Sequence, residues 1–300
     1  MKVIWPRKLQ AGDKFAIISP ASIIKEEYVT GAVETLDEYG FGTYVMPHAL
    51  GNSGSYSGTR QERLEDFTSA YMNTDVRSIM CSRGGYGAVH LLDTLDKLPL
   101  EDDPKWLIGF IDISALHALM AKHESVSIHA SMAKGMSRGT GNALNNMLIE
   151  MLSGKRIGMD GDTSPFNRTG SGSGPLRGGN LAVLDGLVGT PFNDIVPGCI
   201  LVIEDIAEPV YKIERMLYRL KLTGVLDRLS GLIVGAFTEY NPDSNHTSME
   251  AMISEMLGDV SYPVAFGAPI GHIDDNTPWF HNAPATLTVT STGWTLTYTD

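Results

Sequence analysis

The sequence predicts an α/β protein of two domains, the first built on a parallel sheet with helices on both faces and the second smaller and richer in sheet. Three observations lead to this fold class. Short apolar runs alternate with amphipathic segments through the first half of the chain, as strands and helices do around parallel sheets. This alternation stops after a polar stretch near the middle. The length of 300 residues, 43% of them hydrophobic, also reaches the limit of a single core, about 250–300 residues.

The first half divides into four pairs of a strand and a helix. The first strand is an apolar run that begins at Phe15 and is stopped by Pro20. The predicted strands cover residues 15–20, 41–46, 78–81 and 105–110, and the predicted helices cover residues 26–39, 59–71, 88–95 and 113–122. Because ligands bind at the carboxyl ends of parallel strands, we expect the turns after the first, third and fourth strands to form a site.

A segment rich in Gly, Ser, Thr, Asp, Asn and Pro separates the two halves, between Gly154 and Gly174. Such a composition is typical of a linker. We therefore expect an N-terminal domain over residues 1–155, a linker over 156–174 and a C-terminal domain over 175–300. In the last domain the patterns predict a buried strand at residues 199–203, a helix from near Pro209 to Gly224, a strand at 232–235 and a half-exposed antiparallel strand at 286–299, with few helices.

The composition argues against several classes of partner. With 23 Lys and Arg against 35 Asp and Glu, the net charge is -12, which disfavours nucleic acid and anionic membranes. Cys81 and Cys199 lie far apart in apolar surroundings, which suits buried thiols in a reducing compartment. The segment Met1–Lys8 lacks the apolar stretch of a signal peptide, and no apolar run is long enough to span a membrane, so we expect a cytoplasmic protein.

The turn Arg83–Gly87 is rich in glycine, and it follows a predicted strand and precedes a predicted helix. Its backbone amides can cradle a phosphate, stabilise an oxyanion or simply form a tight turn. The spacing matches neither glycine fingerprint of nucleotide-binding proteins. The histidines and cysteines show no metal-ligand spacing. We expect no cofactor and no metal ion.

Two further places in the second half carry groups that can do chemistry. Glu204 and Asp205 end an otherwise apolar strand, where they are either a solvated strand end or functional carboxylates. His272 lies in a loop rich in Gly and Pro, where it is either a surface residue or a catalytic base. The residue patterns by themselves leave these alternatives open.

Five segments, taken together, resemble a known family. They are the turn 83–87, the segment 107–117, the paired runs 178–181 and 189–192, the strand and helix from residue 201 to residue 215, and the loop 267–272. These segments resemble the LD-carboxypeptidases and the related microcin C immunity proteins. The likeness extends from about Lys8 to about Thr290 and thus covers nearly the whole chain.

The resemblance implies a flavodoxin-like N-terminal domain that carries a nucleophilic serine and a C-terminal domain that supplies a glutamate and a histidine. It implies serine-type hydrolysis of an amide between an L- and a D-residue in cytoplasmic murein peptides, or of a peptide-nucleotide small molecule, by a homodimer. Its implied site residues are Glu204 and His272 as catalytic groups, the backbone of Gly84, Gly85 and Asp112 as oxyanion donors, and Arg83 and Asn180 as substrate-binding groups.

The sequence departs from the family pattern at the nucleophile. The family turn reads Gly-Tyr/Phe-Ser-Asp, whereas this chain has Ile111 between Phe110 and Asp112. An isoleucine side chain cannot attack a carbonyl, so we expect the covalent step to be lost or impaired. Ser114 and Ser131 are nearby hydroxyls, but a packing role is the simpler interpretation for Ser114, and the role of Ser131 is open.

Three hypotheses remain: a disabled LD-carboxypeptidase, a binding protein that captures muropeptides or aminoacyl-nucleotides, and an unrelated nucleotide binder, which the glycine spacing disfavours. We expect Glu204 and His272 to face each other across a cleft between the domains, about 2.6–3.2 Å apart. We also expect Ile111 either to have unusual backbone geometry or to have relaxed the turn, because β-branched residues tolerate strained turns poorly.

Overall fold

The computed structural model describes residues 3–299. Met1 and Lys2, the start of the N-terminal segment and of the first predicted domain, lie outside the described residues, as does Asp300, the end of the second predicted domain. The chain forms two compact units: the first comprises the chain up to Lys155 together with Thr277–Phe280, and the second comprises the remainder. Within residues 3–299, no helix is long and apolar enough to cross a membrane.

Strands and helices follow one another along the whole chain. Up to Leu152 they are β1 (Lys14–Ile18), α1 (Glu26–Glu38), β2 (Gly42–Val45), α2 (Arg60–Met72), β3 (Val76–Cys81), α3 (Leu92–Leu95), β4 (Trp106–Gly109), α4 (Ser114–Lys122), β5 (Ser127–His129), α5 (Ala133–Met136) and α6 (Ala143–Leu152). Beyond it they are β6 (Met159–Asp162), β7 (Gly170–Asn180), α7 (Leu181–Leu187), β8 (Ile200–Ile206), α8 (Val210–Leu222), β9 (Gly231–Thr238), α9 (Met249–Leu257), β10 (Val264–Phe266), β11 (Trp279–His281), β12 (Pro284–Val289) and β13 (Gly293–Tyr298). Short 3-10 turns cover Ala88–Leu91, Ile111–Ile113 and Leu226–Arg228.

The sheet of the first unit has the strand order β11-β5-β4-β3-β1-β2, and the neighbours from β2 to β5 are all parallel. The order β2-β1-β3-β4-β5 is that of flavodoxin-like folds, so the predicted α/β fold class is confirmed. In such folds ligands bind where the strand order reverses, which here is between β1 and β3. The turns after β1 and β3 therefore lie at this edge, with the turn after β4 next to them.

The sequence determines these elements by simple local rules. Phe15, Ala16 and Ile17 of β1 have no exposed surface, as expected for a strand covered on both faces. Helix α2 begins with a capping box, in which Thr59 Oγ1 accepts from the Glu62 backbone amide and Glu62 Oε2 accepts from the Thr59 amide. The predicted helix at 88–95 forms as a 3-10 turn followed by the short α3.

The sheet of the second unit combines two pairing modes, in the order β10-β9-β8-β7-β12-β13-β6. The pairs from β10 to β7 are parallel, and the pairs from β7 to β6 are antiparallel. The core of this unit forms around β8 and β9, where Leu201, Ile203 and Leu232 pack with the apolar stripe of α8. Helix α8 ends before Gly224, which has φ 71°, the left-handed conformation expected at this stop.

The predicted linker at 156–174 is wrong, because this segment contains β6 and the first part of β7. Its small residues serve close packing instead of flexibility. A Cβ added at Gly172 or Gly174 would collide with the carbonyl oxygens of Ser230 and Gly198. The glycines of this segment therefore let the backbone just before β8 and just before β9 approach β7 closely.

The single strand predicted at 286–299 is also wrong, because the structure forms a hairpin of β12 and β13. Buried and exposed side chains alternate both before and after the turn, so the sequence pattern does not show where the first strand ends and the second begins. The turn closes with a hydrogen bond from the Thr290 amide to the Gly293 carbonyl, 2.8 Å long. Gly293 has φ 153°, within the range that favours glycine.

The cysteine prediction is confirmed, since Cys81 and Cys199 are both buried free thiols. Burial raises the pKa of both thiols well above the ordinary value, which keeps them protonated and unreactive. Neither thiol is suited to replace a missing nucleophile.

Candidate active-site elements

The turn after β4 has strained backbone geometry at Ile111. Phe110 is extended, and Ile111 then has φ 63°, in the left-handed region that β-branched residues rarely adopt. The prediction of unusual backbone geometry is thus confirmed. The side chain of Ile111 is half-buried, so the group at this position is accessible from solvent. A sharp, strained turn between a strand and a helix is the geometry that exposes the nucleophile in many hydrolases.

The strain at Ile111 can be measured by replacement with glycine and with alanine. We expect Ile111→Gly to be about 0.5–1 kcal/mol more stable than Ile111→Ala, because glycine avoids the left-handed penalty of about 1–2 kcal/mol and this outweighs its greater unfolded-state entropy. Urea denaturation measures the difference. As the matched control, Ala118→Gly in α4 should lower stability by about 0.5–1 kcal/mol. A less stable glycine variant at position 111 would contradict the strain.

The glycine-rich turn after β3 packs directly against Ile111. A Cβ added at Gly84 would lie 2.7 Å from the Cβ of Ile111, so only glycine allows this approach. The carboxylate of Asp112 also holds the end of this turn, since its Oδ2 accepts a 2.7 Å hydrogen bond from the Ala88 amide. Burial raises the pKa of Asp112 to about 6. The structure thus places Gly84 and Asp112 beside position 111, and the oxyanion role of Gly84, Gly85 and Asp112 stays a prediction.

A buried arginine that the sequence did not suggest holds the same turn. Nη1 of Arg63 donates to the carbonyl oxygens of Pro20 at 2.7 Å and Gly87 at 2.9 Å. Its Nε donates to the Gly58 carbonyl at 3.2 Å, and only 3% of the residue is exposed. Arg63 therefore ties the turns after β1 and β3 together. The sequence feature that could have pointed to Arg63 is its position among the apolar residues of the buried face of α2.

The other predicted groups of the first unit have local structural roles. Arg83 is exposed, and its Nη1 donates to the Ile23 carbonyl at 2.8 Å. Its predicted role in substrate binding stays a prediction. Ser114 is fully buried at the start of α4, which agrees with a packing serine. Ser131 is half-buried after β5.

In the second unit, Glu204 and His272 form a close pair. Nδ1 of His272 lies 2.8 Å from Oε2 of Glu204. This confirms the predicted separation of about 2.6–3.2 Å. Glu204 is fully buried and the His272 side chain is 12% exposed, so neither a solvated strand end nor a surface histidine describes them. The expectation of a pair across two domains is wrong, because both residues belong to this one unit.

The pairing sets the chemistry of the imidazole. With Nδ1–H donating to the buried carboxylate, the ring nitrogen turned away from Glu204 is Nε2, which then carries a lone pair. A carboxylate in this position fixes the tautomer and stabilises the imidazolium that forms when Nε2 takes a proton. The arrangement is chemically that of a general base with its orienting acid.

Asp205, next to Glu204, has a structural role. Its Oδ1 accepts from Asn180 Nδ2 at 2.9 Å and its Oδ2 accepts from the Ala182 amide at 2.9 Å. Burial raises the pKa of Asp205 to about 6, and the charge of Glu204 acts in the same direction. Asn180 also caps α7 by accepting from the Val183 amide. Its predicted role in substrate binding stays a prediction.

Within residues 3–299, no group of three or more His, Cys, Asp or Glu side chains is placed to hold a metal ion. The candidate chemical groups are those described above. Those of the first unit surround position 111, and those of the second unit are Glu204 and His272.

Comparison with known proteins shows the family of the chain. The model of the LD-carboxypeptidase N-terminal domain matches residues 15–130, and the model of the C-terminal domain matches residues 173–287. The chain belongs to the LD-carboxypeptidase family. The resemblance inferred from the five segments is thus confirmed. This LD-carboxypeptidase homologue is 31% identical over 285 residues to the murein tetrapeptide carboxypeptidase of Pseudomonas aeruginosa, covering 91% of this chain and 92% of that protein.

Two further proteins are similar to this chain. The crystal structure of muramoyltetrapeptide carboxypeptidase from Oxalobacter formigenes matches this LD-carboxypeptidase homologue with a TM-score of 0.87 at 28% identity, covering 96% of this chain and 99% of that chain. The microcin C7 self-immunity protein of Escherichia coli is 27% identical, covering 88% of this chain and 87% of that protein. Both relatives extend over nearly the full length of the chain.

Proposed function

We propose that this protein is a serine-type LD-carboxypeptidase by descent that binds the peptides of its family and hydrolyses them weakly or not at all. The observation that carries this proposal is Ile111, which the family resemblance places at the nucleophile position and which lies in a strained, half-buried turn. Its hydrocarbon side chain offers neither a lone pair to attack a carbonyl nor a proton for a base to accept.

The remaining groups retain the chemistry of a hydrolase. In a serine peptidase the base takes the proton of the hydroxyl, the oxygen attacks the carbonyl, and backbone amides bind the resulting oxyanion. The Glu204–His272 pair has the geometry of such a base. Gly84 and Asp112 lie beside position 111, as the family's oxyanion donors would. Of the groups that the family resemblance implies, the nucleophile has no counterpart at its position, and removal of a nucleophile typically lowers kcat by about 10⁶.

The proposed ligand is a murein peptide with an amide between an L- and a D-residue. The name of the Pseudomonas relative, a murein tetrapeptide carboxypeptidase at 31% identity, supports this class. A second candidate is an aminoacyl-nucleotide, which the 27% identity to the microcin C7 self-immunity protein supports. We further propose a cytoplasmic homodimer, as the family resemblance implies, with neither nucleic acid nor membrane as partner, in keeping with the net charge of -12.

Calorimetry and peptide analysis on the same preparation test this function. We expect an L,D-linked murein tetrapeptide to bind to the purified protein, while chromatography detects no release of the terminal D-residue. An all-L tetrapeptide of the same composition is the control and should bind more weakly. Release of the D-residue at many turnovers per second would contradict the proposal, and so would failure of both the murein peptide and an aminoacyl-sulfamoyl nucleotide to bind.

A further inference from the structure

A β-bulge lies opposite Glu204. Strands β8 and β9 pair with Ile203 beside Val234, but with Asp205 beside Phe237. Gly235 and Ala236 of β9 therefore stand against Glu204 alone. A bulge of this kind bends its strand and changes the direction of the side chains next to it. Here it interrupts the pairing of β8 with β9 at Glu204, which stays paired with Asn180 of β7 on its other side.

The loop that carries His272 rests on this bulge. The Ala236 amide donates to the Ile270 carbonyl at 2.8 Å, and the Ala268 amide donates to the Val234 carbonyl at 3.2 Å. A Cβ added at Gly235 would lie 2.6 Å from the Ile270 oxygen, so the loop backbone occupies the space of a side chain. The bulge thus provides the surface on which the loop is fixed.

Gly271 is the point at which loop and glutamate meet. It has φ 121°, and a Cβ added to it would lie 3.0 Å from both Cβ and Oε2 of Glu204 and 3.2 Å from the Ala236 carbonyl oxygen. A side chain there would push Glu204, whose carboxylate pairs with His272, by a few tenths of an ångström, in a backbone conformation that is itself strained for any residue but glycine. Gly271 therefore leaves room for Glu204 directly beside the residue that pairs with it, His272.

Asn276 fixes the backbone of this glycine. Its Oδ1 accepts a 2.9 Å hydrogen bond from the Gly271 amide, and only 1% of Asn276 is exposed. The Ile273 amide donates to the Gly271 carbonyl at 2.9 Å. Both peptide groups of Gly271 are thus held while the conformation at its Cα is one that glycine alone adopts easily.

We infer that Gly271 and Asn276 are positioning residues, which hold the His272 imidazole in the tautomer and distance that pairing with Glu204 requires. Neither residue acts on the substrate; they act through His272. The importance of the pair for hydrolysis rests on the proposed function, whereas the positioning itself is a property of the fold and can be measured without turnover.

Nuclear magnetic resonance of the unmodified protein provides the readout. An Nδ1–H that donates to a buried carboxylate exchanges slowly with water and gives a downfield proton signal, which His272→Ala identifies by removing it. We expect Gly271→Ala to lose this signal and to shift the ring nitrogens of His272 towards a mixture of tautomers. Gly267→Ala is the matched control. Gly267 lies in the same loop with φ 79°, but an added Cβ would meet nothing within 4 Å, so the signal should remain.

A second variant makes the result independent of any folding defect caused by alanine at position 271. Asn276→Ala removes the acceptor of the Gly271 amide without adding volume, and we expect it to broaden or remove the same signal. In an Ile111→Ser background, both variants should lower kcat at least tenfold with little change in KM. Retention of the signal in both variants, or its loss in Gly267→Ala as well, would overturn the inference. An inert Ile111→Ser protein with the expected spectra would overturn the proposed function alone.

Discussion

Ile111→Ser is expected to convert this protein into a working LD-carboxypeptidase. The substitution adds the hydroxyl that the family's chemistry requires, and it also replaces a β-branched side chain that is strained at φ 63°. Since loss of a nucleophile typically costs about 10⁶ in kcat, even partial recovery should raise turnover by several orders of magnitude. The measurement is the release of a terminal D-residue from an L,D-linked murein tetrapeptide, with an aminoacyl-sulfamoyl nucleotide tested in parallel.

Two control variants separate the hydroxyl from other effects of the change. Ile111→Ala removes the same bulk as Ile111→Ser but adds no nucleophile, so it should remain inactive. His272→Ala in the Ile111→Ser background should abolish the gain, because a serine hydroxyl is a poor nucleophile without its base. Equal activity of the serine and alanine variants would show that the gain comes from space and not from the hydroxyl.

The opposite result is equally informative. A folded Ile111→Ser protein that binds a murein peptide or an aminoacyl-nucleotide but hydrolyses neither would favour the binding-protein hypothesis. In that case the loss of the nucleophile would not be the only obstacle to catalysis, and the disabled-enzyme interpretation would be wrong.

Most of the fold could be predicted from the sequence, because the local patterns for strands, helices and turns agree with one another. Parallel strands covered on both faces are read as apolar runs, such as Phe15 to Ile18, and the helices between them carry their own start and stop signals. The prediction of a linker at 156–174 was wrong, because the same small residues that make a chain flexible also let the backbone of distant segments come close. Composition cannot distinguish the two cases, since the difference lies in residues more than twenty positions away.

The candidate site could be predicted from the sequence only in part. The residue patterns singled out Glu204 and His272, and the family resemblance implied their roles. Their separation of 2.8 Å lies beside a bulge between β8 and β9 that the patterns did not predict. Arg63 was missed, because the carbonyl groups it holds come from turns after two different strands. Contacts of this kind arise when the sheet brings distant turns together, so they follow from topology and not from spacing.

The second large effect is expected at a buried charged cluster around Asp194. Its Oδ1 accepts from Arg177 Nη1 at 2.9 Å, and its Oδ2 accepts from the Gly178 amide at 2.9 Å and lies 2.8 Å from His281 Nε2. The side chains of Asp194 and His281 are fully buried, and that of Arg177 is 8% exposed. Burial alone would raise the pKa of Asp194, but the charges and hydrogen bonds of its two partners outweigh burial and lower it.

Asp194→Asn removes one charge at nearly constant volume and leaves Arg177 buried without its counter-ion, so we expect a loss of about 3–5 kcal/mol in the free energy of unfolding. Urea denaturation and amide exchange in β7 measure it. Asp185→Asn is the matched control: its partner Arg219 is 45% exposed, and the change should cost about 1 kcal/mol or less.

Because the pKa of Asp194 is lowered by folding, its contribution to stability is present above the unfolded pKa of about 4 and is lost as the pH falls through the folded value. The free energies of unfolding of the unmodified protein and of Asp194→Asn should therefore converge only in acid, below pH about 4. A difference that stays constant as the pH falls through this range would contradict the role of the Asp194 charge, and so would equal losses in Asp194→Asn and Asp185→Asn.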